Sequence, residues 1–199
     1  MAEPALKRMT VDDFLRWEDG TDTRYELIDG VPVAMAPAAE AHGMLAARLS
    51  GRIDARVATK RPCRAVVEPG ISRWEGGDTF FVADLAMTCA PYDPRRQYVQ
   101  DPLLIVEILS PSTMGFDRNV KVPEYRRIPS VQEILLLDSE RAFAEVLRRE
   151  GERWITEIVQ GIAATLSLAS VPLSVAMAEL YDGVLPAEAP EPGAAAATR

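Results

Sequence analysis

The stretch LLIVEILSPST, residues 103–113, sets one carboxylate, Glu107, inside an apolar run of strand-forming residues. Its apolar part, Leu103–Leu109, predicts a central strand buried on both faces. An ionised carboxylate taken out of water costs several kcal/mol unless a cation, a metal or a raised pKa compensates it. Upstream, Asp84 in FFVADLAMT stands in the same setting. Downstream, Asp117 and Lys121 follow in the polar segment FDRNVK. Two carboxylates on apolar strands, with an acid and a lysine just beyond them, outline a metal site with a lysine at its edge.

The elements around this stretch alternate in type. VQEILLLD, Val131–Asp138, predicts a second buried strand. Between the two, Gly115–Ile128 carries one helical stripe, with Pro123 expected in the first turn because an interior proline breaks a helix. Toward the N-terminus, Arg64–Glu68, Ile71–Trp74, Thr79–Val82 and Asp84–Thr88 read as strands broken by Pro69-Gly70 and Gly76-Gly77. Ala38–Ala58 reads as a helix with Leu45, Leu49, Ile53 and Val57 on one stripe, and Arg48, Arg52 and Arg56 on a face expected to be solvated. Before it, Tyr25–Ile28 and Val31–Met35 form a hairpin about Asp29-Gly30, a pair suited to a type I′ turn. Thr10 with Asp13 three residues on starts a short helix through a capping-box-like pair. On the C-terminal side come a hairpin, Phe143–Arg149 with Arg153–Val159, and a short closing helix near Leu173–Leu180. Residues 1–185 are expected to form one domain, and the low-complexity tail 186–199, PAEAPEPGAAAATR, to be disordered.

A net charge of -8 argues against tight, unaided, nonspecific binding to nucleic acid, which relies on Lys and Arg neutralising phosphates. It leaves room for a locally basic cleft or one made cationic by bound metal. Cys63 and Cys89 show no CxxC spacing, so the expectation is two reduced, half-buried thiols and no cysteine zinc site. MAEPALKRMT lacks the apolar core of a signal peptide, and no run approaches the roughly 18 apolar residues of a membrane span. A soluble cytoplasmic protein with no membrane partner is expected.

The residue types fit metal-assisted phosphodiester hydrolysis. Hard cations such as Mg²⁺ take oxygen ligands, usually one or two carboxylates plus water and substrate phosphate. The competing reading of Asp84 and Glu107 is a pair of structural acids bonded to Lys121 or Arg118. Further candidates are Glu26, either a site residue or a solvent-facing strand acid, and His42, which either borders the cleft or contacts backbone near its helix start. Ser110, Ser112 and Thr113 have phosphate contact or capping of the next helix as their two roles.

The ordered strings RYELIDG, a helix with His42, VADLAM, VEILSPST, DRNVKVPEY and VQEILLLD resemble the Uma2 family of the PD-(D/E)xK nuclease superfamily, from about Tyr25 to Tyr181. The resemblance implies an α/β (α+β) restriction-endonuclease-like fold, a mixed central sheet flanked by helices. It implies a Mg²⁺- or Mn²⁺-dependent endonuclease acting on DNA, working as a homodimer. Asp84 and Glu107 match the motif acids, and the carbonyl of Ile108 would be a further metal ligand. Ala83 replaces the usual proline before the first acid. Leu109 stands where the motif lysine is expected, and Lys121 on the next helix takes its place. The alternative is a binding or regulatory protein that keeps the fold without significant catalysis.

Overall fold

In the computed structural model, which describes residues 8–74 and 76–186, the run around Glu107 forms strand β7 (Pro102–Leu109), buried along nearly its whole length. It pairs antiparallel with β6 (Leu85–Thr88) and parallel with β8 (Glu133–Asp138). β8 pairs antiparallel with β9 (Phe143–Glu150), and β9 with β10 (Arg153–Gln160). On the other side β3 (Arg64–Val67) pairs with β6, giving the order β10-β9-β8-β7-β6-β3. This is a mixed α/β (α+β) architecture, as the sequence implies. The parallel step from β7 to β8 needs a crossover connection, and a helical segment supplies it.

That segment is α3 (Met114–Phe116), a π turn (Asp117–Lys121) and α4 (Val122–Arg126). Pro123 does stand in the first turn of α4, but the helix does not start there. Val122 donates its N–H to the Asp117 carbonyl five residues back. The wider turn accommodates a ring that has no N–H and would clash with the carbonyl four residues before it.

Side chains alternate along β7, so its two faces bury different layers. Leu104, Val106 and Ile108 pack with Leu45, Leu49, Ile53 and Val57 of α2 (Glu40–Val57). Ile105 and Leu109 pack on the other face with Val122 and Tyr125, and with Ile71 and Phe81 of a smaller sheet. The smaller sheet has the order β2-β1-β5-β4, from β1 (Tyr25–Ile28), β2 (Val31–Ala34), β4 (Gly70–Ser72) and β5 (Phe80–Val82). Its hairpin turn has positive φ at both Asp29 (47°) and Gly30 (77°), the type I′ geometry. A Cβ at Gly30 would fall 2.7 Å from Arg8 Cβ, so glycine is required twice over. The capping box of Thr10 and Asp13 opens α1 (Val11–Phe14).

Four expectations need correction. Leu173–Ala176 is a strand, β12, paired with β11 (Thr165–Leu168), and only Met177–Tyr181 is helical (α5). Leu173 and Val175 point inward and Ser174 outward, a period of two that a helical reading overlooks. The arginine row on α2 is not simply solvated: Arg48 donates to the Leu180 carbonyl at 2.8 Å, and Arg52 lies 2.9 Å from Glu179. Asp84 precedes β6 rather than lying within it. Cys63 and Cys89 are not free thiols but form a disulfide, because Arg64 is registered opposite Thr88 and the two cysteines flank that pair. Among the described residues no helix is long and apolar enough to cross a membrane. The expected disordered tail, apart from Pro186, lies outside the described residues.

Candidate active site

Leu85 is registered opposite Val106, so one step further Asp84 faces Glu107. Residues opposite each other project from the same side of a sheet. Here that side is the one covered by the helical segment. Standing in the bend before β6, Asp84 turns its carboxylate back along β7, where Oδ2 accepts the Ile108 N–H at 2.5 Å. A strand residue sends its N–H and C=O toward the same neighbour, so the Ile108 carbonyl also faces the Asp84 edge, beyond the end of β6. The other oxygen, Oδ1, lies 3.0 Å from Nε2 of His42, in the first turn of α2. The hydrogen bond to Asp84 lifts the His42 imidazole above its usual pKa, against the opposing effect of burial.

Glu107 is 2% exposed. Its Oε1 accepts the Tyr125 hydroxyl at 2.5 Å and lies 3.4 Å from the Lys121 ammonium. Burial pushes the carboxyl well above its usual value. Lys121 pulls it down, and the nearby charges of Asp84 and Asp117 push it up again.

Lys121 is where four elements meet. Its Nζ lies 3.0 Å from Glu26 Oε1 and 3.5 Å from Asp117 Oδ1, and it donates to the Val82 carbonyl at 3.1 Å. Burial opposes its charge, but Glu107, Glu26 and Asp117 outweigh that and hold the ammonium above its ordinary pKa. Glu26 is therefore no solvent-facing strand acid: it is 6% exposed and also accepts the Val82 N–H at 2.9 Å. Asp117, one π turn before Lys121, is 3% exposed, and burial raises its carboxyl against the pull of Lys121.

Of the sequence candidates, Asp84, Glu107, Lys121, Glu26, His42 and Asp117 form one cluster. Ser110 does not join it directly. Its hydroxyl bonds those of Ser112 and Thr113 in the turn that starts α3, and it reaches the acids through Thr113, which bonds Asp117. Sequence reasoning missed Tyr125 as a site residue. The available signal was its place one helical turn after Lys121, in DRNVKVPEY. The Val82 carbonyl, a backbone group, left no signal.

The cluster sets four carboxyl groups against one ammonium and one imidazole, an excess of acid in a largely buried place. Carboxylates with a backbone carbonyl alongside are a hard-oxygen donor set of the kind Mg²⁺ prefers. Among the described residues no group of three or more His, Cys, Asp or Glu side chains could hold a metal ion by itself. A Mg²⁺-type ion asks for less: one or two carboxylates, with water and phosphate oxygens completing its shell. The residues fit such an ion.

Four similarities bear on this arrangement. A family model described as "Uma2: Putative restriction endonuclease" matches residues 11–192. Two uncharacterized proteins of Synechocystis sp. are relatives. One is 26% identical over 186 residues, covering 89% of this chain and 93% of its own. The other is 28% identical over 164 residues, covering 81% and 93%. The crystal structure of a "putative nuclease belonging to DUF820" from Anabaena variabilis superposes with a TM-score of 0.73 at 20% identity, covering 89% of this chain and 99% of that one. At that identity the likeness is one of fold.

Proposed function

Since the chain belongs to the Uma2 family, we propose that it is a divalent-metal-dependent endonuclease that hydrolyses DNA phosphodiester bonds. The observation that carries this reading is the cross-strand pair Asp84 and Glu107, set in an acid-rich cluster with the Lys121 ammonium at its edge. Asp84, Glu107 and the Ile108 carbonyl would hold Mg²⁺ or Mn²⁺. When bound, such an ion stabilises charge on the phosphoryl oxygens and makes a nucleophile of water.

The chain's own residues do the rest. Lys121, kept charged by the acids around it, is a fixed positive charge that stabilises a phosphorane-like transition state and orients the attacking water. Tyr125 and Lys121 both hold Oε1 of Glu107 and so fix the orientation of that carboxylate. Ile108 N–H and His42 do the same for Asp84. Because its pKa is raised, His42 also adds positive charge beside Asp84 more readily than a free imidazole would.

A homodimer that cuts both strands belongs to the same proposal. β10 is an edge strand, and its Ile155 and Ile158, on opposite faces, are 48% and 52% exposed, so the open edge between them is what a second copy would pair with. A cytoplasmic location belongs to the same proposal, with the Cys63–Cys89 disulfide as the one observation that speaks against it. A second reading, a nuclease-fold binding or regulatory protein without significant catalysis, is favoured by one observation. Both oxygens of Asp84 already have partners, His42 and Ile108.

Incubating the protein with supercoiled plasmid in Mg²⁺ or Mn²⁺, with a chelator control, separates the two. Metal-dependent nicking is expected, and Asp84→Asn and Glu107→Gln should each lower it by roughly 10³-fold, the scale of a lost electrostatic contact to the reacting group. Cleavage that survives both substitutions or the chelator defeats the assignment. No cleavage by the wild type leaves the second reading in its place.

A further inference from the structure

The sheet face that carries Asp84 and Glu107 extends to the outer strand β3. There Arg64 is registered opposite Thr88 and Val66 opposite Ala86. Ala86 packs in the same layer as Ile105 and Leu109, so Arg64, Val66 and, one step on, Glu68 rise from the face of the acids. Glu68 lies against the site itself: its N–H donates to the Asp84 carbonyl at 2.9 Å. On this face, between β3 and the loop of residues 91–100, runs a groove of about 210 Å³. It is smaller than the ~300 Å³ at which pockets for drug-sized ligands begin, so it suits one nucleotide unit at most.

The chemistry of the groove is basic and aromatic. Tyr92 is 72% exposed, with the Arg64 guanidinium 5.5 Å from its ring centroid. Arg64 is itself held in place by the Ala90 carbonyl at 2.6 Å. Arg96 lies 5.3 Å from the ring of Tyr98. The acids that line the groove are already paired with arginines. Glu68 meets Arg24 at 2.7 Å and Asp93 meets Arg95 at 3.4 Å. The charges of Arg64 and Arg96 therefore dominate locally, in a chain whose net charge is -8.

We propose that this groove is a subsite for one unpaired nucleotide of a DNA strand, its base stacked on Tyr92 and its phosphate met by Arg96 and Arg64, with the neighbouring phosphate delivered to the Asp84 edge. The position of the cut rests on the nuclease reading; the binding does not. An aromatic platform beside a guanidinium is the arrangement by which proteins hold single strands with little regard to sequence, since every base has a π face. A fully paired duplex has no base free to enter. The subsite therefore favours single-stranded or frayed DNA.

The test measures binding and cleavage separately on the full chain. Binding is read by fluorescence anisotropy of a labelled mixed-sequence single strand and its duplex, with a chelator present so that nothing is cut. Cleavage is read in Mn²⁺. The wild type should bind the single strand more tightly than the duplex. Tyr92→Ala should weaken single-strand binding roughly tenfold, the loss of one stacked base, and Tyr92→Phe should restore it. Arg96→Ala should lower the salt dependence of binding by about one counterion. Single-strand binding that depends on Tyr92, in a protein that cuts nothing, keeps the subsite and removes the nuclease. Cleavage unchanged in Tyr92→Ala, with unchanged binding, keeps the nuclease and overturns the subsite. A wild type that prefers duplex, or binds neither probe, also overturns the subsite.

Discussion

Glu107 and Glu133 sit on adjacent strands of the same sheet, each 2% exposed, and their surroundings differ in kind. Around Glu133, Arg148 donates at 2.8 Å, the Ala169 and Ser170 N–H groups at 3.0 and 2.6 Å, and the Ser170 hydroxyl at 2.5 Å. Burial alone would raise this carboxyl, but those hydrogen bonds outweigh it and hold it below the usual range. Around Glu107 are a tyrosine hydroxyl, a lysine shared with other acids, and the like charges of Asp84 and Asp117, and the carboxyl is pushed well above its usual range. Equal exposure thus gives one acid finished by the protein and another, more deeply set, left short of positive charge. Glu133 fastens the turn after β11 to β8. On the proposed reading Glu107 is the carboxylate that a divalent cation would complete, and strongly perturbed groups of this kind concentrate at functional sites.

The contrast can be broken from either side. The largest effect is expected from Lys121→Met, which leaves Glu26, Glu107 and Asp117 without their shared ammonium. Removing one partner of a buried charge pair costs about 3–5 kcal/mol, and urea unfolding of the metal-free protein should show a loss on that scale. Glu133→Ala comes next. It takes one of three partners from Arg148, which keeps Glu157 and the Ser167 carbonyl, and strips the acceptor from two backbone N–H groups and the Ser170 hydroxyl, and about 3 kcal/mol should be lost with or without metal. Glu107→Gln, by contrast, should leave the metal-free protein as stable as the wild type or more so, since it relieves repulsion.

The smallest effect lies in the pH dependence, where the two acids have opposite signs. A carboxyl whose folded pKa is raised binds its proton more tightly when folded, so its contribution grows as pH falls toward the ordinary carboxyl range and fades as pH rises through the raised value. Glu107 and Asp117 act this way, and His42, also raised, has the same sign: its contribution is full below the ordinary imidazole value and lost above the raised one. Glu133 is depressed, so its contribution is full above the ordinary carboxyl value and lost as pH falls through the folded one. In chelator, the wild type should therefore lose roughly 1 kcal/mol per pH unit on moving up through the window of Glu107. Glu107→Gln should flatten that slope, and Glu133→Gln should leave it intact.

How much of this was legible beforehand follows from where each signal lay. β7, β8, α2 and the Asp29-Gly30 hairpin announced themselves by local period and turn chemistry, and they stand where expected. The π turn before Pro123 did not, because a proline in a helical pattern reads as a start and the remedy of a widened turn leaves no mark in composition. β12 carries no clear signal of its own, because a four-residue strand is too short to separate periods of 2 and 3.6. The pairing of the two cysteines depends on strand register, which sets them side by side and is not visible in sequence. In the site, Asp84, Glu107 and Lys121 could be named from an acid in an apolar run and from family motifs. The depth of Glu26 could not, since its burial depends on β5 pairing across a long gap in sequence. Tyr125 escaped for a simpler reason: an apolar ring on a buried helix face looks like core until its hydroxyl is seen to reach a carboxylate.

The central claim is that Glu107 is left short of positive charge so that a divalent cation can supply it. Thermal melts of the wild type and of Glu107→Gln, each in chelator and in saturating Mn²⁺, test it most directly. A site filled at 100 times its Kd adds about 2.7 kcal/mol, which for a chain of this size raises the wild-type Tm by roughly 5–10 °C, and Glu107→Gln should lose most of that rise. A wild type whose Tm does not move with Mn²⁺, or a Glu107→Gln protein that gains as much as the wild type, would contradict the claim.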